Sequence, residues 1–81
     1  MRCVATFHTH LSAMRTQRSL LAAGARAVLA PVPRRLSASC GTCVRYEAED
    51  ACLACMDADV DCVYAQRETG DGFDLLYENR A

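Results

Sequence analysis

Two cysteine pairs dominate residues 40–55, which read CGTCVRYEAEDACLAC. Two residues separate the cysteines within each pair, and eight residues separate the pairs. A tight turn points both sulfur atoms of such a pair the same way, and four thiolates in a tetrahedral arrangement suit Zn²⁺. The sequence therefore predicts a cysteine knuckle that binds one zinc ion. The predicted ligands are Cys40, Cys43, Cys52 and Cys55.

A helix is predicted over about residues 47–67, directly after the knuckle. Apolar side chains recur there at helical spacing, and acidic residues near the start favour the helix dipole. The apolar stripe consists of Leu53, Met56, Val60, Val63 and Tyr64. Residues 37–68 are thus expected to form a small metal-stapled domain with a single helix. The remaining cysteine of this segment, Cys62, is read as a buried free thiol.

Other uses of the same cysteines stay open at this point. Disulfides could nest across a hairpin, Cys43 with Cys52 and Cys40 with Cys55. The nine residues between Cys52 and Cys62 resemble one half of the twin Cys-x9-Cys proteins of the mitochondrial intermembrane space, but no second pair has that spacing. An iron–sulfur cluster also uses four thiolates, although the ferredoxin spacings do not match. A thioredoxin-like redox pair would need a larger domain.

The charges divide the chain into two parts of opposite sign. Residues 1–36 contain six arginines and no acidic residue, whereas residues 37–81 contain three arginines and all ten acidic residues. A step of this kind in a short chain is typical of a processed leader or a basic arm. A chain of 81 residues also leaves room for no more than one small domain.

The basic segment has the features of a mitochondrial transit peptide. It is rich in arginine, contains serine and threonine, lacks acids, and places apolar residues on one face of a predicted amphipathic leader helix. Pro31 and Pro33 would end that helix. The sequence RRLSAS at residues 34–39 resembles a processing-peptidase site, with cleavage before Ser37. His8 and His10 lie inside this segment and are predicted to have no role in a site.

The last residues are predicted to form an irregular tail that binds a partner, residues 69–81. A glycine-rich turn signal at residues 69–72 precedes four large apolar side chains in residues 73–77. A short strand or a helical turn that covers the knuckle is an equal alternative. The acidic residues at 57, 59, 61 and 68 match four positions of a calcium loop, but Cys62 stands where that loop needs glycine, which favours a solvated acidic face.

These observations favour a structural protein over an enzyme. Residues 37–81 contain no histidine, no serine–histidine–acid set and no glycine-rich phosphate loop. Their net charge of −7 disfavours nucleic acid if the leader is cleaved. The predicted function is that of a small acidic zinc-binding subunit of a large mitochondrial assembly, a respiratory complex or the mitochondrial ribosome. It would contact protein subunits in the matrix or on the matrix side of the inner membrane.

Two alternative functions follow from the same features. A disulfide-bonded assembly factor of the intermembrane space, similar to the CHCH proteins, would use the cysteines without metal. A mitochondrial ribosomal protein would keep the basic arm and place it against RNA. No stretch of apolar residues is long enough for a transmembrane helix.

Overall fold

Five strands and one helix follow one another in the part of the chain that the structure describes. The structure is a computed structural model covering residues 1–70 and 72–80. In chain order, the elements are β1 (Arg2–Phe7), α1 (His10–Ala22), β2 (Arg26–Pro31), β3 (Thr42–Glu47), a 3-10 turn (Leu53–Cys55), β4 (Val60–Gln66) and β5 (Phe73–Glu78).

The strands form a single antiparallel sheet in the order β2-β3-β1-β4-β5. The first four strands have the order of a ferredoxin-like βαββαβ sheet. In place of the second helix of that fold, a crossover of residues 48–59 with its 3-10 turn connects β3 to β4. The fifth strand extends the sheet beyond β4.

The central strand β1 is buried along almost its whole length. Residues 3–7, CVATF, are all buried, and Ala5 lies opposite Val44 of β3 on one side and Val63 of β4 on the other. A short, mostly apolar segment of this kind suits a strand that is covered on both faces. Both β3 and β4 therefore pair with β1 along their inner edges, while β2 and β5 pair with their outer edges.

The helix α1 covers one face of the sheet, called the first face. Thr9 caps it, because its side-chain oxygen accepts the backbone N–H of Ser12 at 3.2 Å. Ala13, Thr16 and Leu20 are buried at helical spacing. Gly24, with φ of 89°, reverses the chain toward β2 in a left-handed conformation that favours glycine.

Side-chain alternation along the strands separates two environments. Cys3, Ala5 and Phe7 belong to the apolar core beneath α1. Val4 and Thr6, one residue out of phase, point to the opposite side, called the second face. Two residues that lie directly opposite each other on neighbouring strands have their side chains on the same face. The register of β1 with β3 and β4 therefore assigns each side chain of these strands to one of the two faces.

The predicted knuckle with a single helix over residues 47–67 is wrong. Glu47 ends β3, the following residues form the crossover, and residues 60–66 are strand β4. Pairing with β1 overrides the helical spacing. Val60 and Val63 are β-branched, which suits a strand, and both reach the core because the register with β1 shifts at a bulge between them, at Asp61. Leu53 of the predicted stripe is exposed instead. Cys43 lies inside β3 rather than in a metal knuckle.

The two terminal segments also differ from their predicted structures. An amphipathic leader helix over residues 1–36 is wrong, since this segment forms β1, α1 and β2. The segment does contain a helix, but α1 ends at Ala22, well before Pro31 and Pro33, which were predicted to end it. An irregular tail is wrong as well, because β5 pairs with β4. A strand does form, as in the alternative prediction, but it extends the sheet instead of covering a knuckle. Asp71 of the predicted turn lies outside the described residues.

Cleavage before Ser37 and the division into leader, module and tail stay predictions from the sequence. In the folded chain, residues 1–36 contribute the central strand, the helix and one edge strand. The helix α1 has 13 residues, and no helix in the described part of the chain has the length and hydropathy of a membrane span.

Replacing Phe7 by alanine should destabilise the fold strongly. The Phe7 side chain is fully buried in the core, and truncation of a buried phenylalanine costs about 3–5 kcal/mol. Urea denaturation followed by circular dichroism measures the loss. Leu11→Ala is the matched control, because Leu11 is 54% exposed on α1. Equal effects of the two substitutions would contradict the assigned core.

Candidate functional site around Cys40

A ten-residue loop, called the cysteine loop (residues 32–41), connects β2 to β3 and crosses the second face of the sheet. Leu36 in its middle lines a cavity of about 300 Å³ together with Phe73, which belongs to the opposite edge strand. The base of the loop is closed by a 3.0 Å backbone hydrogen bond, in which the Val32 N–H donates to the Gly41 carbonyl. This bond joins the two ends of the loop, and it holds the backbone next to Cys40 against the end of β2.

Cys40 lies next to the end of this loop and is partly exposed. The backbone N–H of Thr42 donates a hydrogen bond to Cys40 Sγ, with 3.4 Å between nitrogen and sulfur. This bond orients the sulfur and places the positive end of a backbone dipole against it. An accessible sulfur facing a positive dipole is the environment in which cysteines act as nucleophiles.

Two histidines contact the residues on either side of Cys40. His8 Nδ1 lies 3.3 Å from the hydroxyl oxygen of Ser39, and His10 Nδ1 lies 3.2 Å from that of Thr42. His8 directly follows β1 and His10 is the first residue of α1, so they connect the loop to the rigid part of the fold. The sequence prediction gave them no role, because they lie inside the predicted leader.

Acidic side chains surround the same end of the sheet without forming a loop for calcium. His8 Nε2 lies 3.9 Å from Asp61 Oδ1. Asp59 accepts hydrogen bonds from the hydroxyls of Thr9 and Ser12 at the start of α1, where a negative charge stabilises the helix dipole. Asp59 is therefore engaged in capping the helix.

Three other cysteines are buried in the sheet. Burial raises the pKa values of the Cys3, Cys43 and Cys62 thiols above the ordinary value, because a thiolate loses its hydration there. Cys43 Sγ also donates to the Pro31 carbonyl at 3.5 Å. A neutral, buried thiol reacts slowly, so these residues serve packing rather than chemistry.

The second predicted cysteine pair lies on the first face, near Tyr46. Cys52 directly precedes the 3-10 turn, Cys55 is its last residue, and both pack against the core. The Tyr46 hydroxyl donates to the Ala51 carbonyl, and burial raises the pKa of this phenol. Burial and the neighbouring Asp50 also raise the pKa of the Cys52 thiol.

The structure does not bring the four predicted zinc ligands together. Cys43 and Tyr46 are three residues apart on β3 and therefore face opposite sides of the sheet. Cys43 thus lies on the second face, whereas Cys52 and Cys55 lie beside Tyr46 on the first. Among residues 1–70 and 72–80, no group of three or more histidine, cysteine or acidic side chains has the arrangement of a metal site. Zinc binding stays a prediction from the sequence.

Comparison with known protein families gives one match. The family described as "Putative Se/S carrier protein-like" matches residues 2–57. The chain belongs to this family. Comparison with curated proteins and with solved structures found no match. The family's segment runs from β1 to the end of the 3-10 turn, so it includes the cysteine loop and both histidines and excludes Cys62, β4 and β5.

Alkylation should distinguish Cys40 from the buried thiols. A short treatment of the folded chain with iodoacetamide near pH 8 should modify Cys40 before Cys3 and Cys43. Each unit by which burial raises a pKa lowers the thiolate fraction about tenfold. Peptide mass spectrometry measures the order of modification, and the chain in denaturant is the control, in which the six cysteines should react alike. Modification of Cys43 ahead of Cys40 would contradict the described site.

Proposed function

We propose that this chain is a carrier that accepts a sulfur or selenium atom on the thiol of Cys40 and passes it to an acceptor thiol. The observation that supports Cys40 is its setting. Its sulfur is partly exposed and contacted by the Thr42 N–H, whereas Cys3 and Cys43 in the same matched segment are buried. The family description supplies the cargo, and the geometry favours the residue.

The chemistry requires a nucleophilic sulfur and a donor that holds the atom in a persulfide. The Cys40 thiolate attacks the outer sulfur of a donor R–S–SH, a new S–S bond forms, and the donor's S–S bond breaks. The donor leaves as the thiolate R–S⁻, and the outer sulfur keeps its proton as Cys40–S–SH. A selenium donor, R–S–SeH, reacts in the same way at selenium. No external oxidant or reductant takes part.

Transfer to the acceptor is the same exchange with a new nucleophile. An acceptor thiolate attacks the outer sulfur or selenium atom, and Cys40 leaves as a thiolate. The hydrogen bond from the Thr42 N–H stabilises negative charge on Cys40 Sγ both before loading and after release. Contacts of His8 with Ser39 and of His10 with Thr42 keep the loop in one geometry through both steps.

Loading of Cys40 can be measured directly. The reduced chain is incubated with a small-molecule persulfide, and intact and peptide mass spectrometry locate any added sulfur. We expect the mass of one sulfur atom on the peptide that contains Cys40, removed by a thiol reductant. Cys40→Ser should abolish this modification. Cys55→Ser is the matched control, because Cys55 is also partly exposed but lies on the first face, and it should leave the loading of Cys40 unchanged.

The opposite pattern would overturn the proposal. Sulfur that appears on Cys52 or Cys55 in the wild type, and persists in Cys40→Ser, would assign the carrier thiol to the first face. Circular dichroism of each variant shows that the fold is intact, so a loss of loading can be attributed to the missing thiol.

The proposal requires neither zinc nor a particular compartment. Mitochondrial location, membership in a large assembly and the absence of catalysis stay predictions from the sequence. A carrier and a structural zinc protein differ in the state of Cys40. In a carrier the Cys40 thiol is free to react, whereas in a zinc site it would stay bound to the metal. The loading experiment measures this difference.

A further inference from the structure

The second face has a basic groove away from the site at Cys40. This groove has a volume of about 250 Å³ and lies where β2, β3 and β1 run side by side. Its second-face side chains are Arg2, Arg26, Val28, Arg45, Glu47 and Gln66. The strands position them by register: Arg26 and Arg2 both lie opposite Glu47, and Arg45 lies opposite Val28.

The groove has an excess of positive charge. Three guanidinium groups face one carboxylate, and Glu47 pairs with Arg2 at 3.6 Å, with both side chains largely exposed. Arg26 and Arg45 form no ion pair with any other residue that the structure describes. Arg2 and Arg26 share Glu47, which lies opposite both, and Arg45 lies opposite Val28 rather than a carboxylate. A bound anion would balance the remaining positive charge.

An apolar surface lies among these charges. Val28 is 57% exposed on the outer strand β2, next to Arg26 and opposite Arg45. A planar guanidinium binds phosphate oxygens in pairs and also stacks on flat rings. A groove of this size that combines guanidinium groups with an exposed apolar side chain fits one phosphate and one planar ring.

We propose that this groove binds a nucleotide unit, with Arg26 and Arg45 on the phosphate and Val28 against the base. The shared chemistry is a phosphate ester joined to a heteroaromatic ring, and it can come from a free nucleotide or from a strand of RNA. The proposal is independent of the carrier function, because none of its residues belongs to the cysteine loop and binding needs no sulfur chemistry.

Binding can be followed on the intact chain by amide chemical shifts in ¹⁵N-labelled protein. The probes are AMP, a short single-stranded oligoadenylate, and inorganic phosphate alone. We expect saturable shifts with AMP in β1, β2 and β3. Arg26→Gln and Arg45→Gln should each weaken AMP binding by about tenfold, the effect of losing one paired arginine contact. Arg18→Gln is the matched control, because Arg18 is exposed on α1, over the other face.

The three probes separate the sources. Tighter binding of oligoadenylate than of AMP, with a strong dependence on salt, would assign the phosphate to an RNA strand. Equal binding of the two would assign it to a free nucleotide. The proposal is overturned if neither AMP nor oligoadenylate gives saturable shifts, if inorganic phosphate binds as well as AMP, or if Arg18→Gln weakens binding as much as Arg26→Gln and Arg45→Gln.

Discussion

The pairing of β1 with both β3 and β4 is the interaction on which the rest of the structure depends. Ala5 lies opposite Val44 and Val63 at once, so removal of β1 would leave β3 and β4 without a shared partner. The same strand leads into the two histidines that contact the cysteine loop. It also supplies Arg2 to the groove on the second face. The site, the groove and the core are therefore all organised by residues near the start of the chain.

Part of the fold could be predicted from the sequence. A helix between residues 10 and 22, the glycine-rich turn before residue 73 and a strand alternative after it all have local signals. The larger architecture had none, because strand pairing is non-local. By spacing, Val60 and Val63 fit one face of a helix, and they lie together in the sheet only because of the bulge where β4 pairs with β1. The arginines of residues 1–36 resemble those of a leader, yet in the fold Arg2 and Arg26 meet Arg45 on one face.

Of the candidate site, only the cysteines could be predicted from the sequence. Sequence spacing drew attention to Cys40, Cys43, Cys52 and Cys55 as one set, but alternation along β3 places Cys43 and Tyr46 on opposite faces. Burial then distinguishes Cys43, which is fully covered, from Cys40, which stays partly open beside a backbone donor. The two histidines could not be found from sequence, because they reach Cys40's neighbours across more than thirty residues.

The most direct measurement is a comparison of the ¹H–¹⁵N spectra of the full chain and of residues 37–81 alone. The account predicts dispersed amide resonances for the full chain and a collapsed, unfolded spectrum for residues 37–81, because β3 and β4 then lack the strand that joins them. A dispersed spectrum for residues 37–81 without residues 1–36 would contradict the central place of β1.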